Sequence, residues 1–317
     1  MSRSFRRLLM AVALVAGTGL HAAQSPQTQA LSMPGYPAPG SPATVTVSSP
    51  GSEPRMPLRL KLAAGQKETL LMTMNMGVSM SAEQMSLPAM EMPTMKMWAD
   101  SVVTAVAPNG DISYDIGFTK LLVEAGPGGD PNVAQMIQAG ASEITSLKGS
   151  MVMTNRAITK SAKLDLDKIT DPTMRQTFGA MSSQFEGLSM PLPDEAVGVG
   201  AKWEVRQSIS SAGAQLFQRV QCELTALDAS GATIKVTTEQ SAPPQTITNP
   251  AMAGMQMNIE KVSGGGTGTI TVKFGSLTPR SQMTSSTTMN VAVDLGGQMQ
   301  RMAVKTDIKM SVAPENK

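Results

Sequence analysis

Apolar side chains recur at every second position over most of the chain. Leu70, Met72, Met74, Met76, Val78 and Met80 alternate with Thr73, Asn75 and Ser79. Ile112, Tyr114, Ile116 and Phe118 alternate with Ser113, Asp115, Gly117 and Thr119. Leu216, Val220, Cys222, Leu224 and Ala226 share a phase opposite Arg219, Gln221 and Glu223, and Ile234 and Val236 alternate with Lys235 and Thr237. Met302, Val304, Ile308, Met310 and Val312 oppose Lys305, Asp307, Lys309 and Ser311. Successive side chains of a strand point to opposite faces, so this period predicts strands with one greasy face and one wet face. Asn109-Gly110-Asp111 and Ala229-Ser230-Gly231 mark tight turns between such runs.

Two stretches carry a helical period instead. Asp130-Pro131 supplies a cap and a first-turn proline, followed by the stripe Val133, Met136, Ile137 and Gly140. Thr170-Asp171-Pro172 opens a second, where Met174, Phe178, Met181, Phe185 and Leu188 are spaced by fours and threes. The pattern predicts a mainly β (α+β) fold. It is one large curved antiparallel sheet or half-barrel with two amphipathic helices on one face.

The N-terminal part is patterned differently. Arg3, Arg6 and Arg7, the run LLMAVALVAGTGL and the small pair Ala22 and Ala23 predict a signal peptide over residues 1–23. That apolar run is too short for a transmembrane anchor. Residues 24–56, rich in Pro, Ser and Gly, are expected to be a disordered leader. Residues 57–313 form a single β-rich domain. The expected location is periplasmic or secreted.

Charge and composition narrow the chemistry. The chain has a formal net charge of +2, which becomes about −1 once the three leader arginines are gone. No basic field is left to hold nucleic acid. The one histidine, His21, lies in the leader, and Cys222 is the one cysteine. Histidine-dependent nucleophile triads and His/Cys zinc sites are therefore excluded from the mature chain, as is an internal disulfide. The expectation is a protein that is no enzyme and needs no cofactor.

Methionine is the outstanding feature. There are 27, against 6 Phe, 2 Trp and 2 Tyr, and nine crowd residues 70–98. Thioethers suit Cu(I), and the Met-x-Met pairs make Met72, Met74, Met76, Met90, Met92, Met95 and Met97 candidate metal ligands, with Met255 and Met257 a further pair. Methionine also fills irregular interiors. Met151, Met153, Met174, Met181, Met289, Met299, Met302 and Met310 fall at positions expected to face the core, so filling accounts for more of the set. A hollow interior would be a cavity for lipid or a lipoprotein acyl chain, lined by Met72, Met74, Met76, Met80, Met174, Phe178, Met181, Phe185, Met302 and Met310. A filled one would make the chain a structural or interaction module.

Other stretches read as structural. Pro191-Leu192-Pro193 breaks the chain, the glycines up to Gly200 permit a turn, and Trp203 starts a strand and caps the core edge. Asp194 and Glu195 are an improbable acid/base pair, because neighbours in sequence rarely converge on one substrate. The glycine-rich residues 263–269 lack a phosphate-loop Lys-Ser/Thr and predict a hairpin or bulge entering the Ile270-Val272-Phe274 strand. Asp165 and Asp167 share a strand face, and Cys222 sits in an apolar phase.

Leu192-Pro193, Val197, Gly200 and Trp203 resemble the L-P-x3-V-x2-G-x2-W signature of a domain-of-unknown-function family of bacterial secreted proteins and lipoproteins. That resemblance implies an exported β-rich domain, with Pro193, Gly200 and Trp203 structural, and it implies no activity. The lipidated cysteine of the lipoprotein members is missing. The layout is also similar to half-barrel lipoprotein carriers of the LolA type.

Overall fold

The computed structural model describes residues 31–82, 85–126, 131–167, 190–211, 214–249, 255–294 and 299–315. The strands are β1 (Thr44–Ser49), β2 (Lys67–Ala82), β3 (Met85–Glu91), β4 (Thr94–Val106), β5 (Ile112–Glu124), β6 (Lys148–Met153), β7 (Thr159–Asp165), β8 (Lys202–Ser211), β9 (Ala214–Asp228), β10 (Gly231–Ala242), β11 (Gln245–Asn249), β12 (Met255–Lys273), β13 (Arg280–Asp294) and β14 (Met299–Glu315). The helices α1 (Pro131–Ala139) and α2 (Ala141–Ser146) lie between β5 and β6. The predicted stripe at 133–140 is thus a helix, while the stretch from Thr170 to Leu188 lies outside the described residues.

All strands join one antiparallel sheet in the order β1-β8-β9-β10-β12-β13-β14-β2-β4-β5-β6-β7, with β11 added to β12 and β3 to β2. Two meanders, β2–β7 and β8–β14, are sewn together by the last strand and β2, which run in register from Met302↔Ala82 to Glu315↔Thr69. The sheet stays open, but it curls. Val103 on β4, Ile112 on β5 and Met153 on β6 share an apolar cluster with Val272 on β12, which three strands separate from β4. Only a strongly bent sheet brings such strands together. Leu60, in the segment before β2, joins the same cluster. Its N–H donates to Asn155 and that of Lys61 to Phe274, so this segment ties both flanks of the trough.

The inner face holds the core. Leu58, Leu192, Val197, Trp203, Val205, Val220, Cys222, Leu224, Ile234 and Val236 pack as one cluster at its β8–β10 end. α2 sets Ile144 against Ala99, Phe118 and Leu147 at the other. Beyond its pairing with β6, β5 offers a bare edge. Gln138 of α1 covers it by donating to the Leu121 carbonyl (3.2 Å) and accepting from the Val123 N–H (2.9 Å). The amide imitates a neighbouring strand and satisfies backbone groups that would otherwise invite aggregation.

Several expectations need correction. Residues 44–49 of the expected disordered leader form β1, paired with β8, and Val45 and Val47 pack on the core. Upstream, Tyr36 meets Phe217 edge-to-face with ring centroids 5.3 Å apart, and Pro37 accepts a hydrogen bond from Ser208. Phe217 is out of phase with Val220 and Cys222, hence on the outer face, yet it is 0% exposed. Average composition missed this because a few apolar residues suffice where a partner strand leaves an edge to pair. The glycine-rich residues 263–269 are no hairpin but the middle of the 19-residue β12. Met299 is 56% exposed; it lies three residues before Met302, which is a helical spacing and the wrong one for a shared strand face. Asp165 ends β7, and Asp167 is in a turn where its N–H donates to the Asp165 carboxylate, so the two share no strand face.

Candidate functional site

Register, rather than spacing along the chain, assembles the methionine face. Met310 of β14 stands opposite Met74 of β2, Ile308 opposite Met76, Val312 opposite Met72 and Val304 opposite Met80. On the far side of β2, Met97 and Met95 of β4 stand opposite Met72 and Met74. Across β14, Met283 of β13 stands opposite Met310. Directly opposed residues share a face, so Met72, Met74, Met76, Met80, Met302 and Met310 do lie on one side of the sheet. Met174, Phe178, Met181 and Phe185 lie outside the described residues.

These side chains are not equivalent. Met76 (5% exposed), Val78, Met80 and Val304 form a closed cluster against which Met92, Met95 and Ile308 pack. Met302 is half-buried and packs on a second cluster around Ile259 and Val291. Met72, Met74, Met95, Met97, Met283 and Met310 are all half-buried. They occupy the stretch between the filled ends of the trough. Met90, on β3, is 38% exposed.

A groove of about 1,020 Å³ crosses β10, β12, β13, β14, β2 and β3. Its apolar lining comes from Met76, Met90, Met92 and Ile308, and its polar lining from Thr and Ser hydroxyls with Asn75, Glu91, Asp307 and Lys309. Gly265 and Gly266 of β12 form part of its wall. Their function is absence: the strand runs past with no side chain to occupy the space. A Cβ on Gly266 would also meet the Thr284 carbonyl oxygen of β13, so the run permits close backbone approach. A smaller groove of about 420 Å³ adjoins it and includes Gly268, Met283 and Met310 in its lining.

Acid–base chemistry has little to work with. Burial pushes the Cys222 thiol up to about 12 and the Tyr114 phenol likewise up to about 12. Among the described residues no three His, Cys, Asp or Glu gather as a metal site. Asp194 is exposed and is held by Arg59 at 2.8 Å, so its place is structural. Pro193 and Trp203 are buried, and Gly200 takes a turn at φ +83°.

A charge network of Glu204, Arg206, Arg219 and Glu239 lies on the outer face. Burial alone would raise the Glu204 carboxyl, but hydrogen bonds and charge from Arg219 and Arg206 outweigh it and hold the group below its ordinary value. A depressed carboxylate stabilises the fold above its unfolded pKa and loses that contribution as pH falls through the folded value. Glu204→Gln should therefore be less stable than the parent at pH 7, and the gap should close below about pH 4. Urea unfolding at a series of pH values measures it.

Residues 134–274, from α1 past the end of β12, match the sequence model of a family of unknown function (DUF6263). The match takes in Leu192 to Trp203 but stops short of β13 and β14 and does not reach back to β2 or β4. Met74, Met95, Met283 and Met310 all fall outside it. No protein with a curated description matches the chain in sequence.

Proposed function

We propose that this chain is an exported, non-enzymatic protein that holds an apolar ligand, a lipid or a lipoprotein acyl chain, in the groove across β10, β12, β13, β14 and β2. One observation carries the reading: a groove of about 1,020 Å³ whose apolar wall is methionine and isoleucine and whose β12 side carries glycine. Ligand sites of small molecules commonly measure about 300–1,000 Å³. Flexible thioether side chains adapt to a floppy chain better than branched ones do. Each methylene buried contributes about 0.8 kcal/mol. Ten would give about 8 kcal/mol before ordering costs, enough without a polar anchor. Export rests on the basic, apolar and small-residue pattern of residues 1–23.

The experiment is native mass spectrometry of the gently purified mature protein, followed by titration with a fluorescent fatty acid. Bound lipid, or saturable uptake, is the expected result. Met90→Asp places a charge in the groove at a position already exposed. It should weaken uptake about tenfold or more while leaving the unfolding midpoint in place. A clean apo mass with no uptake overturns the reading and leaves a module with a filled interior.

A further inference from the structure

Four methionines from four adjacent strands stand in one transverse row: Met95 on β4, Met74 on β2, Met310 on β14 and Met283 on β13. Directly opposed side chains have Cβ atoms about 4.5–5.5 Å apart. Two flexible torsions place each sulfur relative to its backbone and a third turns its methyl, so neighbours in the row can bring their sulfurs together without moving a strand. The next row adds Met72 opposite Met97. None of the four is sealed in the core and none is fully exposed.

The row has a centre. The Met283 sulfur lies over Gly268 of β12, where a Cβ would collide with it, so that side chain leans away from Met310. Met74 keeps a methionine on each side, Met95 and Met310. Met310 also lines the smaller groove, which opens a path from solvent. Thioether sulfur is a soft, neutral donor that selects soft monovalent ions over hard divalent ones.

We propose that Met74, Met95 and Met310 form a trithioether site for one soft monovalent cation, Cu(I). None of the three lines the larger groove, so this site does not depend on the ligand reading above. The ligand set also differs from the one that sequence spacing suggests. Met-x-Met neighbours on one strand stand about 7 Å apart, whereas opposed residues on paired strands are nearer and converge. Thioethers have no proton to lose, so binding is flat with pH, unlike a thiolate or imidazole site.

The test is anaerobic Cu(I) titration of the mature protein against a chromophoric Cu(I) chelator, at pH 5 and pH 7. One equivalent should bind, with equal affinity at both pH values. Met74→Leu preserves side-chain volume and folding. It removes a direct ligand, so its loss should exceed the roughly 10–100-fold typical of a lost supporting group. Cys222→Ser and Met299→Leu should bind as the parent does, and Met74→Leu should still take up fatty acid. The proposal is overturned if the parent cannot hold Cu(I) against the chelator. It is equally overturned if the triple Leu variant at Met74, Met95 and Met310 keeps parental affinity, or if binding falls in Cys222→Ser or Met299→Leu.

Discussion

Glu68→Ala should unfold about 4 kcal/mol more easily than the parent. Glu68 sits at the start of β2 and its carboxylate accepts four hydrogen bonds. One oxygen takes Gln66 Nε2 at 2.7 Å and the Leu277 N–H at 2.8 Å. The other takes the Ser276 hydroxyl at 3.0 Å and the Thr278 N–H at 2.9 Å. Three of these donors belong to the turn between β12 and β13, while β14 and β13 lie between β2 and β12 in the sheet. The carboxylate therefore ties a turn across the bend and helps to hold the curl. Truncation orphans two backbone N–H groups, while the Ser276 hydroxyl still has the Thr278 carbonyl to donate to (3.1 Å), and Thr278 is only 6% exposed. Each such orphan costs about 1–3 kcal/mol. Glu68→Gln keeps an acceptor oxygen and should lose about half as much. Urea unfolding followed by circular dichroism measures both, and a cost below about 1 kcal/mol for the alanine would show that the bend does not rely on this tie.

Gly198→Ala should cost about 3 kcal/mol through overpacking. A Cβ at this position would fall onto the Ser52 carbonyl oxygen, with the Pro54 carbonyl oxygen 3.1 Å away. Both are backbone atoms and cannot swing aside. Around Gly198 the strip before β2 and the turn before β8 are laced together. The Gly198 N–H donates to Pro50 (2.9 Å), Ser52 to Val199 (2.9 Å), Met56 to Val197 (3.0 Å) and Val197 to Met56 (3.1 Å). Beneath this lacing Leu58 and Val197 are 0% exposed and Leu192 and Trp203 2%. Prying it open wets the end of the main core. The expected readout is a lower unfolding midpoint together with faster proteolysis at Arg55. Gly77→Ala is the control: a Cβ there meets nothing within 4 Å, so stability should stay within about 0.5 kcal/mol. Equal stability of the two variants would refute the lacing.

The distinctive stretch from Leu192 to Trp203 thus acts structurally, through close packing. Asp194 belongs to the same arrangement: Arg59 bonds its carboxylate and the Pro193 carbonyl (2.9 Å), fastening the strip before β2 from the other side. What makes the stretch conspicuous in sequence, prolines beside glycines, is what a tight backbone crossing requires.

The sequence by itself determined the faces of the strands. Met72, Met74, Met76 and Met80 share a side in any sheet, because alternation is a property of a single strand. It likewise determined the first helix, through Pro131 and the apolar stripe after it, and the turns at Gly110 and Gly231, because first-turn and turn preferences are local. Which strands became neighbours was decided only by the tertiary structure. Met283 and Met310 join Met74 and Met95 through the β14–β2 register, which pairs residues more than 200 positions apart, and no local period records a register. Glu68 reads in sequence as an ordinary charge at a strand start, since three of its four donors lie beyond residue 270. The glycines of β12 spell a loop until two strands pass close on either side of them. Tyr36 and Val45 look too sparse to order a polar segment until the edge of β8 and the outward-pointing ring of Phe217 supply their partners. In each case the deciding contact is long-range, and its free energy exists only once the chain has closed on itself.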